Sequence, residues 1–377
     1  MDKQKIYFPN LNGLRFVAAF LVIIHHIEQY KSISKIKGSW ESIPFIGIIG
    51  GLGVLLFFVL SGFLITYLLL VEEKTFETIS VRKFYMRRIL RIWPLYFLII
   101  ILAFLVLPNI ELFVLPGFDK ATIYSNLILK LILYAVFLPN IVLSVLGIIP
   151  YASHTWSIGT EEQFYLVWPV LLKYFKKYKL ALMLFIVLFY RVFSGFLSTS
   201  FANIIPCKKM INTFWATFNI NCMAIGGIYA ILYFQKSKYL KILHNSIVFY
   251  GAIVLVLLLM IKGVIIPHFH YEGYSILFGI IILNFATNDK IKINLENKVL
   301  IYLGNISYGL YMYHPIGIVL AIAIGTAVSF TNNLLLYPLS FLLTIIIAGI
   351  SYRYFESFFL KYKRKFSNVI SGNTSHE

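Results

Sequence analysis

Long apolar runs, separated by short knots of Lys and Arg, recur along the chain from Gly13 to the region of Tyr352. A bilayer core is crossed by about 20 predominantly apolar residues in a helix. The pattern predicts spans at 10–29, 44–70, 89–107, 157–172, 180–196, 214–234, 246–262, 273–286, 299–324 and 334–356, which makes about ten crossings. No period of 20 to 50 residues repeats, and no pair of matched, broken helices marks two inverted halves. The expectation is one all-α integral membrane bundle over residues 1–360, followed by a short basic and polar tail over 361–377.

The basic knots set the orientation, because Lys and Arg in short loops stay on the cytoplasmic side. MDKQK, RKFYMRRILR, KYFKKYK, QKSKYLK, NDKIKINLENK and KYKRK are all read as cytoplasmic, which places both termini inside. The apolar run 127–146 breaks this parity if it crosses, so it is read as a re-entrant or interfacial helix. Composition agrees with a lipid solvent: 60% of the 377 residues are hydrophobic and 13% charged, with mean hydropathy +0.83. The net charge of +18 suggests a nucleic-acid partner only until the positions are seen. The cations lie between apolar runs, not on one amphipathic face, so no nucleic acid is expected. Cys207 and Cys222 form no CxxC spacing or disulfide framework and are read as structural. Arg15 interrupts the first apolar stretch and no small-residue cleavage site follows, so the N-terminal segment is expected to stay attached. No wall anchor, lipidation signal or appended soluble domain is visible.

Charged groups inside a span each cost at least ~2.5 to 3.5 kcal/mol on insertion scales, so they need a partner, water or a task. Arg15 and His26, eleven residues apart on the first span, share one helix face at about 100° per residue, with an axial offset of about 16 Å. They are expected to line one cavity from its cytoplasmic to its outer side, with His25 about a quarter turn away. Ser61 and Gly62 interrupt an apolar helix, where small residues let neighbours approach closely; on sequence alone Ser61 is a packing residue. Arg88 and Arg91 share a face near the start of a span, and arginine forks suit phosphate, although cytoplasmic anchoring would use them equally. HTWSIGTEEQFYLVWP brings Trp156, Ser157, Glu161 and Glu162 together, with the two carboxylates on different faces. His314 precedes Pro315, which frees a backbone carbonyl for a polar neighbour. Glu356 is expected to pair with nearby Arg353. No metal-ligand constellation is seen.

Five stretches in order, LNGLRFVAAFLVIIHH, FFVLSGFLIT, FYMRRILRIWP, TWSIGTEEQFYLVWP and ISYGLYMYHP, resemble the signatures of the membrane-bound acyltransferase family 3, whose members move acyl groups onto cell-surface polysaccharides. The resemblance covers nearly the whole chain. It implies that His26 is the principal catalytic residue, that Arg88 and Arg91 meet the donor phosphates, and that Glu161 belongs to the active centre with Arg15 in support. His314, Ser61, Trp156 and Ser157 are supporting candidates. The chain departs from the family pattern at Asn12, Gly159 and Tyr313, where Asp, Ser and Trp are usual.

The function expected is transfer of an acyl group, most simply acetyl, from cytoplasmic acyl-CoA to a hydroxyl of a cell-surface or lipid-linked polysaccharide. The donor is a substrate, with no permanently bound cofactor and no metal, and the location is the cytoplasmic membrane among its lipids. A transporter or flippase of lipid-linked sugars is the rival reading, since carriers also bury Arg, His and Glu. A carrier, however, would more naturally show broken helices at its midplane than an arginine cluster at one end.

Overall fold

A computed structural model describes residues 5–38, 40 and 42–372. The apolar runs fold as helices: α1 (Leu11–Ile33), α2 (Pro44–Phe76) and α3 (Val81–Ile101), which continues through π and 3-10 turns to Asn109. Three short helices follow, α4 (Lys120–Tyr124), α5 (Leu127–Ala135) and α6 (Pro139–Ile141). Next come α7 (Trp156–Tyr174), α8 (Lys179–Leu197), α9 (Lys208–Phe218), α10 (Ile220–Phe234), α11 (Leu240–Leu243), α12 (Ser246–Ile261) and α13 (His270–Thr287). The last are α14 (Lys298–Asn305), α15 (Ser307–Ala327), α16 (Asn333–Ser351) and α17 (Ser357–Lys363). Strands β1 (Lys5–Ile6) and β2 (Ile370–Ser371) pair in parallel.

Among the described residues, seven helical segments are long and apolar enough to cross a membrane: Leu11–Ile33, Pro44–Phe76, Val81–Asn109, Lys179–Leu197, Lys208–Phe234, Ser307–Ala327 and Asn333–Lys363. The chain is therefore a multi-pass helical membrane protein. The remaining three expected spans also fold as helices, α7, α12 and α13, but α12 has only 16 residues. Glu161 and Glu162 in α7, and Glu272 with Asn284 in α13, dilute the apolar character of the other two. Two expected spans are interrupted: one at Asn219, in the left-handed region with φ 37°, and one at Ile306. The run 127–146 is not one helix. It breaks after Ala135, Phe137 takes φ 58°, and α6 runs into a π turn over Val142–Leu146.

Helix α2 runs through the centre, packed along α1 on one side and α10 on the other. The close approach depends on glycine. A Cβ on Gly62 would lie 2.0 Å from the Met223 carbonyl oxygen, and one on Gly226 would lie 2.2 Å from that of Val59. The two glycines thus form a reciprocal backbone contact, the small-residue packing expected between membrane helices. Overpacking of this kind costs about 1 to 3 kcal/mol or more. Gly62→Val is therefore expected to lower thermal stability in detergent, whereas Gly51→Val, with nothing within 4 Å of its Cβ, leaves it unchanged; equal melting temperatures would refute the contact.

At the other end of α1 a charged pair lies fully buried. The Lys31 ammonium donates to Glu28 at 2.8 Å, to Asn333 Oδ1 at 2.5 Å and to the Gly38 carbonyl at 3.2 Å, while the Tyr337 hydroxyl donates to Glu28 at 2.7 Å. Both charges are hydrogen-bonded from several sides, the condition for tolerating them away from water. They tie α1 to the start of α16.

Candidate active site

A cavity of about 670 Å³ lies among α1, α2, α3, α7, α15 and the turn after α16. Arg15, Ser61, Arg88, Arg91, Ser157 and Glu161 all line it, so residues from four separate sequence stretches meet in one place. One end is covered by the first and last described segments: Ile6, Tyr7, Val369 and Gly372 line the cavity beside Lys298 and Lys363. This cover is held by the β1–β2 pair and by the Tyr7 hydroxyl, which donates to Glu296. Burial, reinforced by the Glu296 carboxylate, pushes the Tyr7 phenol above its ordinary pKa.

Three of the four arginines of α3, Arg87, Arg88 and Arg91, divide their work. Arg87 is buried, forms an ion pair with Glu72 at 3.2 Å and donates to the Phe366 carbonyl at 2.9 Å. Arg88 and Arg91 face the cavity, and among the described residues no hydrogen bond or ion pair engages either. The Arg88 guanidinium instead lies against two rings, 5.4 Å from Phe84 and 5.3 Å from Tyr165. Stacking of this kind orients a guanidinium while leaving its N–H fork open. Arg15 donates to Asn12 Oδ1 at 2.9 Å. An aspartate at position 12 would make that contact an ion pair, so with Asn12 the Arg15 charge has no counter-charge at this contact.

Glu161 and Glu162 point apart, as expected. Ser61 Oγ donates to one Glu161 oxygen at 3.0 Å and the Tyr165 hydroxyl to the other at 2.9 Å. Glu162 turns away and accepts from the Trp93 indole at 2.9 Å. Ser61 therefore holds a carboxylate in the cavity wall as well as sitting in the packed helix. Trp156 packs its ring edge-on to Phe58 and does not line the cavity. Gly159 has its own reason: a Cβ there would come within 2.6 Å of Pro139.

The histidines form a separate cluster next to this cavity. The His26 and His314 ring centroids are 4.7 Å apart, His25 lies 5.2 Å from His26, and His154 lies 5.0 Å from His314. His26 Nδ1 bonds the Val22 carbonyl at 2.9 Å, and His314 Nδ1 bonds the Tyr311 carbonyl at 2.6 Å. The latter is the carbonyl that Pro315 leaves without its helical donor. A carbonyl only accepts, so each Nδ1 carries the proton and each Nε2 is left with its lone pair when the ring is neutral. His314 Nε2 is buried with no partner. His25 is committed elsewhere: its Nδ1 bonds the Ile46 carbonyl at 2.8 Å, and its ring fills the space where Gly50 has no Cβ.

Two expectations need correction. Arg15 and His26 do not line one cavity: Arg15 lines it together with Phe57, Ser157 and Tyr311, whereas His26 and His314 do not. Glu356 does not pair with Arg353. The π turn Tyr352–Glu356 widens the helix and separates residues three apart, so Glu356 is buried, lines the cavity and accepts from Ser351 Oγ at 3.3 Å. Arg353 is exposed against Tyr354. Tyr311 was overlooked in the sequence, although its position three residues before His314 puts the two on one helix face.

A protein family described as an acyltransferase domain matches residues 8–353. The chain belongs to this acyltransferase family. O-acetyltransferase OatA of Staphylococcus aureus strain NCTC 8325 is 28% identical over 375 residues, covering 93% of this chain and 57% of that protein, and the OatA of strain COL matches equally. The chain thus spans less than three-fifths of the length of the curated relatives it matches. No solved structure matches it. Within the family match fall Arg15, His26, Ser61, Arg88, Arg91, Glu161 and His314.

Proposed function

We propose that this acyltransferase is a membrane O-acetyltransferase that moves an acetyl group from cytoplasmic acetyl-CoA to a hydroxyl of a cell-surface or lipid-linked polysaccharide, in the cytoplasmic membrane. The observation that carries the reading is the pair Arg88 and Arg91, unpaired and facing a cavity that abuts two histidines with free Nε2 lone pairs. Family membership favours this over a carrier of lipid-linked sugars, as do the names of the Staphylococcus relatives. Both ends of the chain, and the basic loops, lie on the cytoplasmic side in this reading.

The donor phosphates sit on the arginine forks, where a charged, bidentate hydrogen bond is strongest. In the reaction the thioester C–S bond breaks, the acyl carbon bonds the sugar oxygen, and the hydroxyl proton ends on the CoA thiol. His26 either takes that proton as general base or carries the acyl group between the two partners. Glu161, held by Ser61 and Tyr165, balances the cationic cavity wall.

The test of the donor site is binding of acetyl-CoA to Arg88→Ala, Arg91→Ala and the corresponding Lys variants. Loss of a charged hydrogen bond costs about 1.5 to 3 kcal/mol, or roughly 10- to 100-fold in affinity. Each Ala variant is expected to weaken binding by that factor and Lys by less. Unchanged binding in a folded double Ala variant would leave the arginines with only an anchoring role.

A further inference from the structure

The cavity that holds the donor and the histidines that would act on its acyl group are neighbours without being continuous. Tyr311 stands between them. Its ring forms part of the cavity wall, lies 6.0 Å from Phe57 in an edge-on contact, and is 5.8 Å from the His314 ring. It is almost fully buried. Its hydroxyl is fastened at 2.7 Å to the His154 carbonyl and at 2.7 Å to Ser157 Oγ. Since the carbonyl only accepts, the tyrosine proton goes to His154 and the serine donates to the tyrosine oxygen. The backbone is tied as well, because the Tyr311 carbonyl is the one that accepts from His314 Nδ1.

We propose that the Tyr311 side chain is a gate between the donor cavity and His26, and that the opening it uncovers admits only a small acyl group, acetyl in preference to longer chains. This rests on the functional reading above and sharpens it by assigning the acyl size. An acyl carbon must pass the Tyr311 ring to come within reach of His26 Nε2, so the hydroxyl latch on Ser157 and His154 opens for transfer. Phe57 and the backbone of α15 bound the passage, and the close Gly317–Thr344 contact further along α15 leaves that helix no room to retreat toward α16. Each extra methylene that a tight apolar pocket rejects is discriminated by about 10- to 200-fold.

The experiment compares acetyl-CoA, propionyl-CoA and butyryl-CoA as donors to the glycan that accepts label from wild-type enzyme. Variants are Tyr311→Phe, which keeps the ring and loses the latch, Tyr311→Leu and Tyr311→Ala. Wild type is expected to fall by at least about tenfold in kcat/KM per added methylene. Tyr311→Phe should keep that preference, whereas Leu and Ala should flatten it, with the change in kcat and not in the KM for the donor. Leu preserves apolar bulk in the helix interface and keeps the test readable if Ala fails to fold. A folded Leu or Ala variant with the wild-type preference would overturn the gate, and so would a Tyr311→Phe variant that binds acetyl-CoA normally yet transfers no acyl group at all, since the hydroxyl would then be needed for chemistry. A wild type inactive with every donor would count against the functional reading instead.

Discussion

His26→Ala is expected to abolish acyl transfer, by at least about 10³-fold in kcat, while expression and acetyl-CoA binding stay close to wild type. The residue sits outside the donor cavity, so its loss removes none of the arginine contacts that bind the phosphates. What it removes is the free Nε2, left unprotonated because Nδ1 bonds the Val22 carbonyl. General acid–base catalysis contributes about 10²- to 10⁴-fold, and a residue that also carries the acyl group contributes more. His25 is an internal control of equal chemistry on the neighbouring position. Its Nδ1 bonds the Ile46 carbonyl and its ring fills the gap over Gly50, which makes it a packing residue between α1 and α2. His25→Ala should lose stability and keep turnover per folded molecule. An active His26→Ala enzyme, or an inactive but well-folded His25→Ala enzyme, would remove His26 from its assigned place.

The second large effect is expected at His314. Its ring is the nearest imidazole to that of His26 on the side toward Tyr311, and its Nε2 is buried without a partner. A buried polar atom left unpaired is costly and calls for a reason; in the proposed mechanism that reason is a proton or acyl group that arrives during turnover. His314→Ala is expected to lower kcat by about 10²- to 10⁴-fold with the KM for acetyl-CoA within about twofold, since the donor does not touch it. A matching rise in KM with kcat intact would mean that His314 only supports the shape of the cavity wall.

Much of this was legible before any coordinates. Helices are dictated by apolar runs between basic knots, and every expected span is helical, two of them broken at Asn219 and Ile306. The separation of His25 from His26 and of Glu161 from Glu162 follows from helix geometry alone. The carbonyl freed by Pro315 was legible too, and the structure supplies its partner, His314 Nδ1. What the sequence hid are departures from regular helix. The π turn that carries Glu356 into the cavity has no composition signal, and the breaks at Phe137 and Asn219 occur in residues that take positive φ without glycine. The barrier at Tyr311 was hidden for another reason. Whether two residues on one face of α1 share a cavity depends on what α15 places between them, and that is a tertiary fact.

Acceptor chemistry decides the account most directly. Purified wild-type protein in proteoliposomes, supplied with labelled acetyl-CoA and a panel of glycans, is predicted to form a labelled, hydroxylamine-sensitive ester on a sugar hydroxyl, and to form none when His26 is replaced by Ala. Label that stays entirely on CoA with every glycan, or ester that forms equally with His26→Ala, would contradict it.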